Sequence, residues 1–222
     1  SWNIAVSDEE DLKFSEISLA INPDSTKSKK VIDVLKNKTT QDIDSPEVLK
    51  LKGLIRRSES LLATRYLGLE DHNVHFLELP FYETGTIKKN NLSQKDLDIM
   101  CRLIDDIKPH QIYAAGDLAD PHGTHKVCLD AIFESLDTLK HHKYLDDCWV
   151  WLYRGAWHEW DPYQIEMAVP MSPDQVLKKR HAIFFHQSQK DGVMFQGDDT
   201  REFWVRVEDR NRLTAKTYND LG

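Results

Sequence analysis

Cysteine, glycine and basic charge are all scarce in this chain, and each scarcity removes a class of protein. Three cysteines occur (Cys101, Cys128 and Cys148), an odd number without C-x-x-C spacing. That excludes a disulfide framework or a four-cysteine structural zinc site, and it fits a reducing cytoplasm. The nine glycines form neither a G-x-G-x-x-G nor a Walker pattern, so no glycine-rich loop is available to cradle a phosphate. Lysine and arginine number 29 against 37 aspartates and glutamates, a net charge of -8. A chain so acidic lacks the basic face that nucleic acid requires, although a few local cations could still hold a small anion. No apolar run approaches the roughly 20 residues that span a bilayer. The opening Ser1-Trp-Asn-Ile-Ala-Val6 has no basic stretch before it and is too short for a secretion signal.

What is present is the balance of a globular protein, 40% hydrophobic and 30% charged in 222 residues. One α/β domain spanning residues 1–222 is expected, without internal repeat or low-complexity segment. Helical signals begin at Asp8 and end at Asn22-Pro23. A short amphipathic face follows within residues 25–38, made by Val31, Ile32, Val34 and Leu35. Ser45-Pro46 then starts a long helix that runs to Leu67-Gly68, with serine as N-cap, proline in the first turn and glycine as C-cap. Residues 74–79 alternate up to Pro80 and predict a strand. Ser93 caps a helix over residues 94–107, stopped by Lys108-Pro109. Further strands are predicted at residues 111–115, 148–153 and 165–169. Helices are predicted from about Lys126 to Leu139, over 174–189 and over 201–213. Strands alternating with helices imply right-handed crossovers. The expected architecture is three-layered and Rossmann-like, a mainly parallel sheet with helices on both faces.

The chemistry concentrates in Asp117-Leu-Ala-Asp120-Pro-His122-Gly-Thr-His125, directly after the apolar run that ends at Ala115. In open α/β sheets, ligand-binding groups collect where loops leave the carboxyl ends of strands. Two imidazoles three residues apart can share a helix face, and imidazole is a common zinc ligand. Carboxylates such as Asp117 and Asp120 orient ligating imidazoles by hydrogen bonding. The same residues also serve simpler ends. Asp117 and Asp120 suit N-caps or Asx-turns, and a lone H-x-x-H is common in capping and surface positions. Arg56-Arg57-Ser58-Glu59 reads as a solvated helix face, or as the source of an arginine that binds an anionic or hydroxyl-rich substrate. The loop Tyr153-Arg154-Gly155-Ala156-Trp157-His158-Glu159-Trp160 is rich in aromatics. It fits a sugar-binding wall, or equally a packing or oligomer contact. His181 and His186 read as helix-end partners.

In this order, the pieces resemble the LmbE-like (PIG-L) family of zinc-dependent N-deacetylases. The matching segments are Arg56-x-x-Glu59 with Leu67-Gly68, the stretch to Leu79-Pro80, and Lys108-Pro109-x-Gln-Ile-Tyr-Ala. Asp120-Pro-His122-Gly-Thr-His125 and Lys178-x-x-x-Ala182-Ile-x-x-His186-Gln-Ser-Gln189 complete the series. The chain looks most like the C-terminal, deacetylase-like portion of long bacterial chains whose front portion resembles glucosamine-6-phosphate deaminase. The resemblance implies that His125 ligates zinc and that His122 stabilises an oxyanion or protonates a departing amine. It also implies a family motif, His-Pro-Asp-Asp, that supplies further zinc ligands and the general base. That motif occurs nowhere in these 222 residues, and Gly123-Thr124 stands where the family carries Pro-Asp.

The expectation is therefore a deacetylase-like domain truncated at its N-terminus, missing its first strand and holding only half of a zinc site. Catalysis is assigned to His122 and Asp120, metal ligation to His125, substrate contact to Arg56 and Trp157, and orientation of the ligands to Asp117. The implied substrate is an amino sugar whose acetamido group is hydrolysed, and the isolated chain is expected to be inactive. A homo-oligomer or an attached deaminase-like domain would be the protein partner. The competing reading is a non-catalytic sugar or sugar-phosphate binding module attached to such a deaminase.

Overall fold

The computed structural model describes residues 26–39, 44–82, 89–116, 123–154, 159–189 and 199–221. The expected first helix, from Asp8 to Asn22, lies outside them. The chain divides into two compact units. One takes the described residues up to Val74 together with His181–Ser188, and the other takes His75–Arg180 and the residues from Gln189 onward.

In the first unit, α1 is Thr26–Asn37 and α2 is Pro46–Leu67. The boundaries of α2 follow from local chemistry. The Ser45 hydroxyl accepts the Val48 N–H at 3.4 Å and Pro46 occupies the first turn, where no amide donor is required. Gly68 ends the helix at φ 99°, a left-handed geometry that costs a side-chain-bearing residue about 1 kcal/mol. It donates to the Arg65 carbonyl at 3.0 Å, and Leu69 donates to Thr64. Val48, Leu61 and Ala63 form the buried face of α2. In α1, Ile32 and Leu35 are exposed, so these two members of the expected apolar face are not covered by any described element.

The second unit holds the larger core. Here α3 is Gln94–Ile107, β1 is Gln111–Ala115, α4 is Thr124–Leu139 and β2 is Trp149–Tyr153. Leu79, Phe81, Met100, Ile104, Ala131 and Leu139 are buried together where α3 packs on α4. Burying each large apolar side chain in this group stabilises the unit by about 1.5–3 kcal/mol. The start of α3 is tied into that core by Asp96. Its buried carboxylate accepts the backbone N–H of Phe81 and of Ser93, each at 2.9 Å, and the Ser93 hydroxyl. Strands β1 and β2 are parallel, in register from Gln111↔Trp149 to Ala115↔Tyr153. Trp149 N–H to the His110 carbonyl (2.9 Å) and Gly116 N–H to the Tyr153 carbonyl (2.8 Å) extend the ladder at each end. A β–α–β unit with a parallel strand pair is thus established. The fold is mixed α/β and mostly helical.

Two expected strands are absent as strands. Residues 74–79 are not assigned as strand and run into a 3₁₀ turn at Pro80–Tyr82, and Glu78 adopts φ 47°. A left-handed residue within the segment breaks the alternation that predicted a strand. Residues 165–169 follow the 3₁₀ turn Pro162–Gln164 and precede Pro170. Their alternating apolar positions join no strand among the described residues, and Val169 is 72% exposed.

Two helices end elsewhere than the pattern predicts. α5 is Pro173–Phe184, stopping before residue 189. Its last turn tightens through Phe185 N–H to the Ala182 carbonyl and His186 N–H to the Ile183 carbonyl. α6 is Phe203–Leu221, running beyond residue 213 through a polar stretch with no apolar periodicity to announce it. No described helix is long and apolar enough to cross a membrane, and all three cysteines are free.

Candidate functional site at the carboxyl ends of the parallel strands

The sequence places its candidate residues immediately after β1, and the structure locates only part of that group. Asp117, Asp120 and His122 lie outside the described residues, as does Trp157 after β2. His125 is described. It is the second residue of α4, half-buried, and enters the helix through Gly123 at φ 68°. A glycine suits this position because the left-handed turn into the helix is strained for any other residue. His125 therefore sits in the first turn of the crossover helix that connects β1 to β2. That is where the α/β pattern leads one to look for a ligand.

Arg56 is exposed on α2, in the first unit. Its neighbour in the motif, Glu59, has a clear structural task. Glu59 is buried and accepts the Ser188 N–H at 2.6 Å and the Ser188 hydroxyl at 2.7 Å. These bonds take up Ser188 in place of a helical partner, which accounts for the early end of α5. His181 meets α2 as well, through its Nδ1 and the Tyr66 hydroxyl at 3.1 Å, with Tyr66 packed on Phe185. The series Arg56-x-x-Glu59 and His186-Gln-Ser-Gln189 thus includes a hydrogen-bonded pair 129 residues apart.

At the carboxyl end of β2 the structure builds a platform from the two described ends of the aromatic loop that the sequence offers as a sugar-binding wall or a packing contact. The Arg154 guanidinium carbon lies 3.9 Å from the ring centroid of Trp160, in cation–π geometry. The Trp160 indole N–H donates to the Leu152 carbonyl at 3.1 Å, which fixes the ring against the strand. Gly116, just past β1, lies under the same ring. A Cβ there would stand 2.9 Å from Leu152 Cβ and 3.0 Å from a Trp160 ring carbon. Arg154, Trp160 and Gly116 thus form one layer across the ends of both strands. The Arg154 Nε is buried and has no hydrogen-bond partner among the described residues.

The platform connects to a cluster of ionic groups. Glu159 accepts the Trp160 N–H and the Thr214 hydroxyl, both at 3.0 Å, and lies 3.8 Å from Arg210 Nε. On α5, Lys179 donates to Asn211 Oδ1 at 2.5 Å. Burial holds the Lys179 ammonium below the usual lysine range, and Arg210 pushes it the same way against the pull of Glu208 and Glu159. Arg180 forms a bidentate pair with Glu208, 2.6 Å at each contact, over the face of Trp204. That pairing holds the Glu208 carboxyl below the usual range. Lys179, Arg180 and Arg210 thus share one ionic cluster with Glu159 and Glu208.

Among the described residues, no group of three or more His, Cys, Asp or Glu side chains is placed to hold a metal. The imidazole of His125, in the first turn of the crossover helix, is of a donor type that zinc takes. The fit to zinc is partial.

Comparison with known proteins is narrow but strong where it exists. No family model matches the chain, and no solved structure matches it. The whole chain aligns with a glucosamine-6-phosphate deaminase-like protein of Bacteroides thetaiotaomicron at 49% identity. The alignment covers 35% of that longer protein, so this chain spans about a third of the relative it matches.

Proposed function

We propose that this chain is a deacetylase-like domain of the LmbE type, hydrolysing the acetamido group of an amino sugar with zinc, within a larger protein that includes a deaminase-like domain. The single observation that carries the reading is the position of His125. The second histidine of the H-x-x-H series sits in the first turn of the helix that follows a parallel strand. The amino-sugar class is supported by the name of the 49% identical relative. The reading carries with it a larger parallel sheet, with helices on both faces, than the two described strands make.

In this reading His125 would hold zinc, and Asp117 would orient the ligating ring. Zinc, when bound, polarises an amide carbonyl and lowers the pKa of bound water towards neutrality. His122 would stabilise the tetrahedral oxyanion or protonate the leaving nitrogen, with Asp120 beside it as acid–base partner. Arg56 and Trp157 would contact the sugar. The remaining ligands would come from residues beyond these 222, because no His-Pro-Asp-Asp motif occurs here. Metal content by mass spectrometry on the full-length protein and on its His125→Ala variant tests the reading. About one zinc per chain, lost in the variant together with release of acetate from N-acetylglucosamine derivatives, is the expected result. Absence of zinc from the full-length protein overturns it.

The Arg154–Trp160 platform favours a second reading, a sugar-binding module that acts without metal. It predicts sugar binding that is unaffected by chelator and retained in His125→Ala.

A further inference from the structure

We infer that Arg154 anchors an oxyanion, a phosphate or carboxylate, carried by the small molecule that binds at the carboxyl ends of β1 and β2. The inference rests on the proposed function only for the scaffold of that molecule, an amino sugar. The charge recognition stands on the geometry of the platform.

A guanidinium carries five N–H donors in its plane and no acceptor. Stacking on Trp160 engages the face of that plane, so the donors at its edge have to find their partners elsewhere. A buried donor without a partner is costly, because it has given up water and received nothing in exchange. The Arg154 Nε is in that position. Glu159, one residue before Trp160, does not relieve it. That carboxylate is engaged by the Trp160 amide and by Thr214 and Arg210 of α6. Stacking also restricts the rotation of the guanidinium, so that a planar or tetrahedral oxyanion meets a fork already in place. The ring beneath it is held by the Leu152 carbonyl and by close contact with Gly116, so the fork is referenced to both strands. None of this depends on a metal.

Isothermal titration in the presence of chelator tests the inference with three probes: N-acetylglucosamine, its 6-phosphate, and the corresponding uronate. The expected result is that one of the anionic sugars binds at least about tenfold more tightly than the neutral one, as a charge-assisted bidentate contact provides. The tighter anion names the substituent. Arg154→Met should reduce that preference to near unity, read as the ratio of the anionic to the neutral affinity within the same variant. Arg154→Lys, which keeps the charge but loses the fork, should fall between. Equal binding of all three sugars overturns the inference, as does failure of both anionic sugars to bind. A preference that survives in a folded Arg154→Met also overturns it. The comparison within the unmodified protein decides the matter if the methionine variant does not fold. Zinc content and acetate release are read separately. A retained anion preference without hydrolysis therefore removes only the deacetylase reading, and hydrolysis without the preference removes only the role of Arg154.

Discussion

Single residues in this protein do more structural work than their type alone predicts, and Asp96 is the clearest case. Burial pushes its carboxyl up, but the Ser93 hydroxyl and the backbone N–H groups of Phe81, Ser93 and Asp96 itself pull it below the usual range. The folded state therefore binds a proton there less readily than the unfolded chain. The stability Asp96 contributes is complete above the unfolded value near 4 and is lost as pH falls through the lower folded value. Asp96→Ala leaves the Phe81 and Ser93 donors without their acceptor, and it should cost about 2–4 kcal/mol in denaturant midpoint at neutral pH. Gly116 works by having no side chain. Gly116→Ala should displace Trp160 or strain β2, read as a change in near-ultraviolet circular dichroism and a loss of about 1–3 kcal/mol. An unchanged spectrum and midpoint would mean that the ring is not held where the structure places it.

At the scale of elements, most helix limits were legible in the sequence because they are set by neighbours in the chain. Ser45-Pro46 and Gly68 delimit α2, and Ser93 with Asp96 starts α3 at the residue the pattern predicts. Ser172 begins α5 through a reciprocal pair, in which Gln175 N–H donates to its hydroxyl at 3.2 Å and its own N–H donates to Gln175 Oε1 at 2.8 Å. Gly68→Ala should destabilise by about 1 kcal/mol, since alanine pays for the left-handed geometry that glycine adopts freely. A neutral or stabilising result in thermal unfolding would show that the C-cap relaxes. The strands were less legible. An alternating segment becomes a strand only if another strand lies beside it, and residues 74–79 and 165–169 belong to no strand among the described residues. The sheet also leaves Tyr113, Trp149 and Tyr153 exposed along one face, each more than half accessible. Gln111, Tyr113, Trp149 and Trp151 share that face by the period of two and the parallel register.

At the scale of the whole molecule, an acid transition should dominate the response to pH. Asp44 is lowered by Lys38 and Lys52, Asp71 by Arg65, Glu208 by Arg180, and Asp199 to about 2 by Arg201. All are depressed carboxylates, so each contributes stability above its unfolded value near 4 and loses it on further acidification. Stability should therefore fall between about pH 4 and 2. The exposed pairs are screened by salt and individually weak, whereas the buried Asp96 is not. Raising the ionic strength should flatten the acid transition in part, and Asp96→Asn should remove much of what remains. A transition abolished by salt would assign it wholly to the surface pairs.

The candidate site divides along the same line. The H-x-x-H series was visible as a cluster in sequence, and its placement after a strand followed from the apolar run before it. The loop that holds Arg154 and Trp160 was visible as an aromatic cluster, but the Glu59–Ser188 pair and the seat of Gly116 under Trp160 were not, because their partners are distant in the chain or lie on separate strands. By itself the sequence determined the helix caps, the turn glycines, the strand at Gln111–Ala115 and the acidic character of the chain. These depend on backbone preferences and on groups within a few residues of one another. Only the tertiary structure decided which alternating segments pair, where α5 stops, and which cation is left with a buried, unsatisfied donor. Those outcomes depend on competition for hydrogen-bond partners among groups that folding alone brings together.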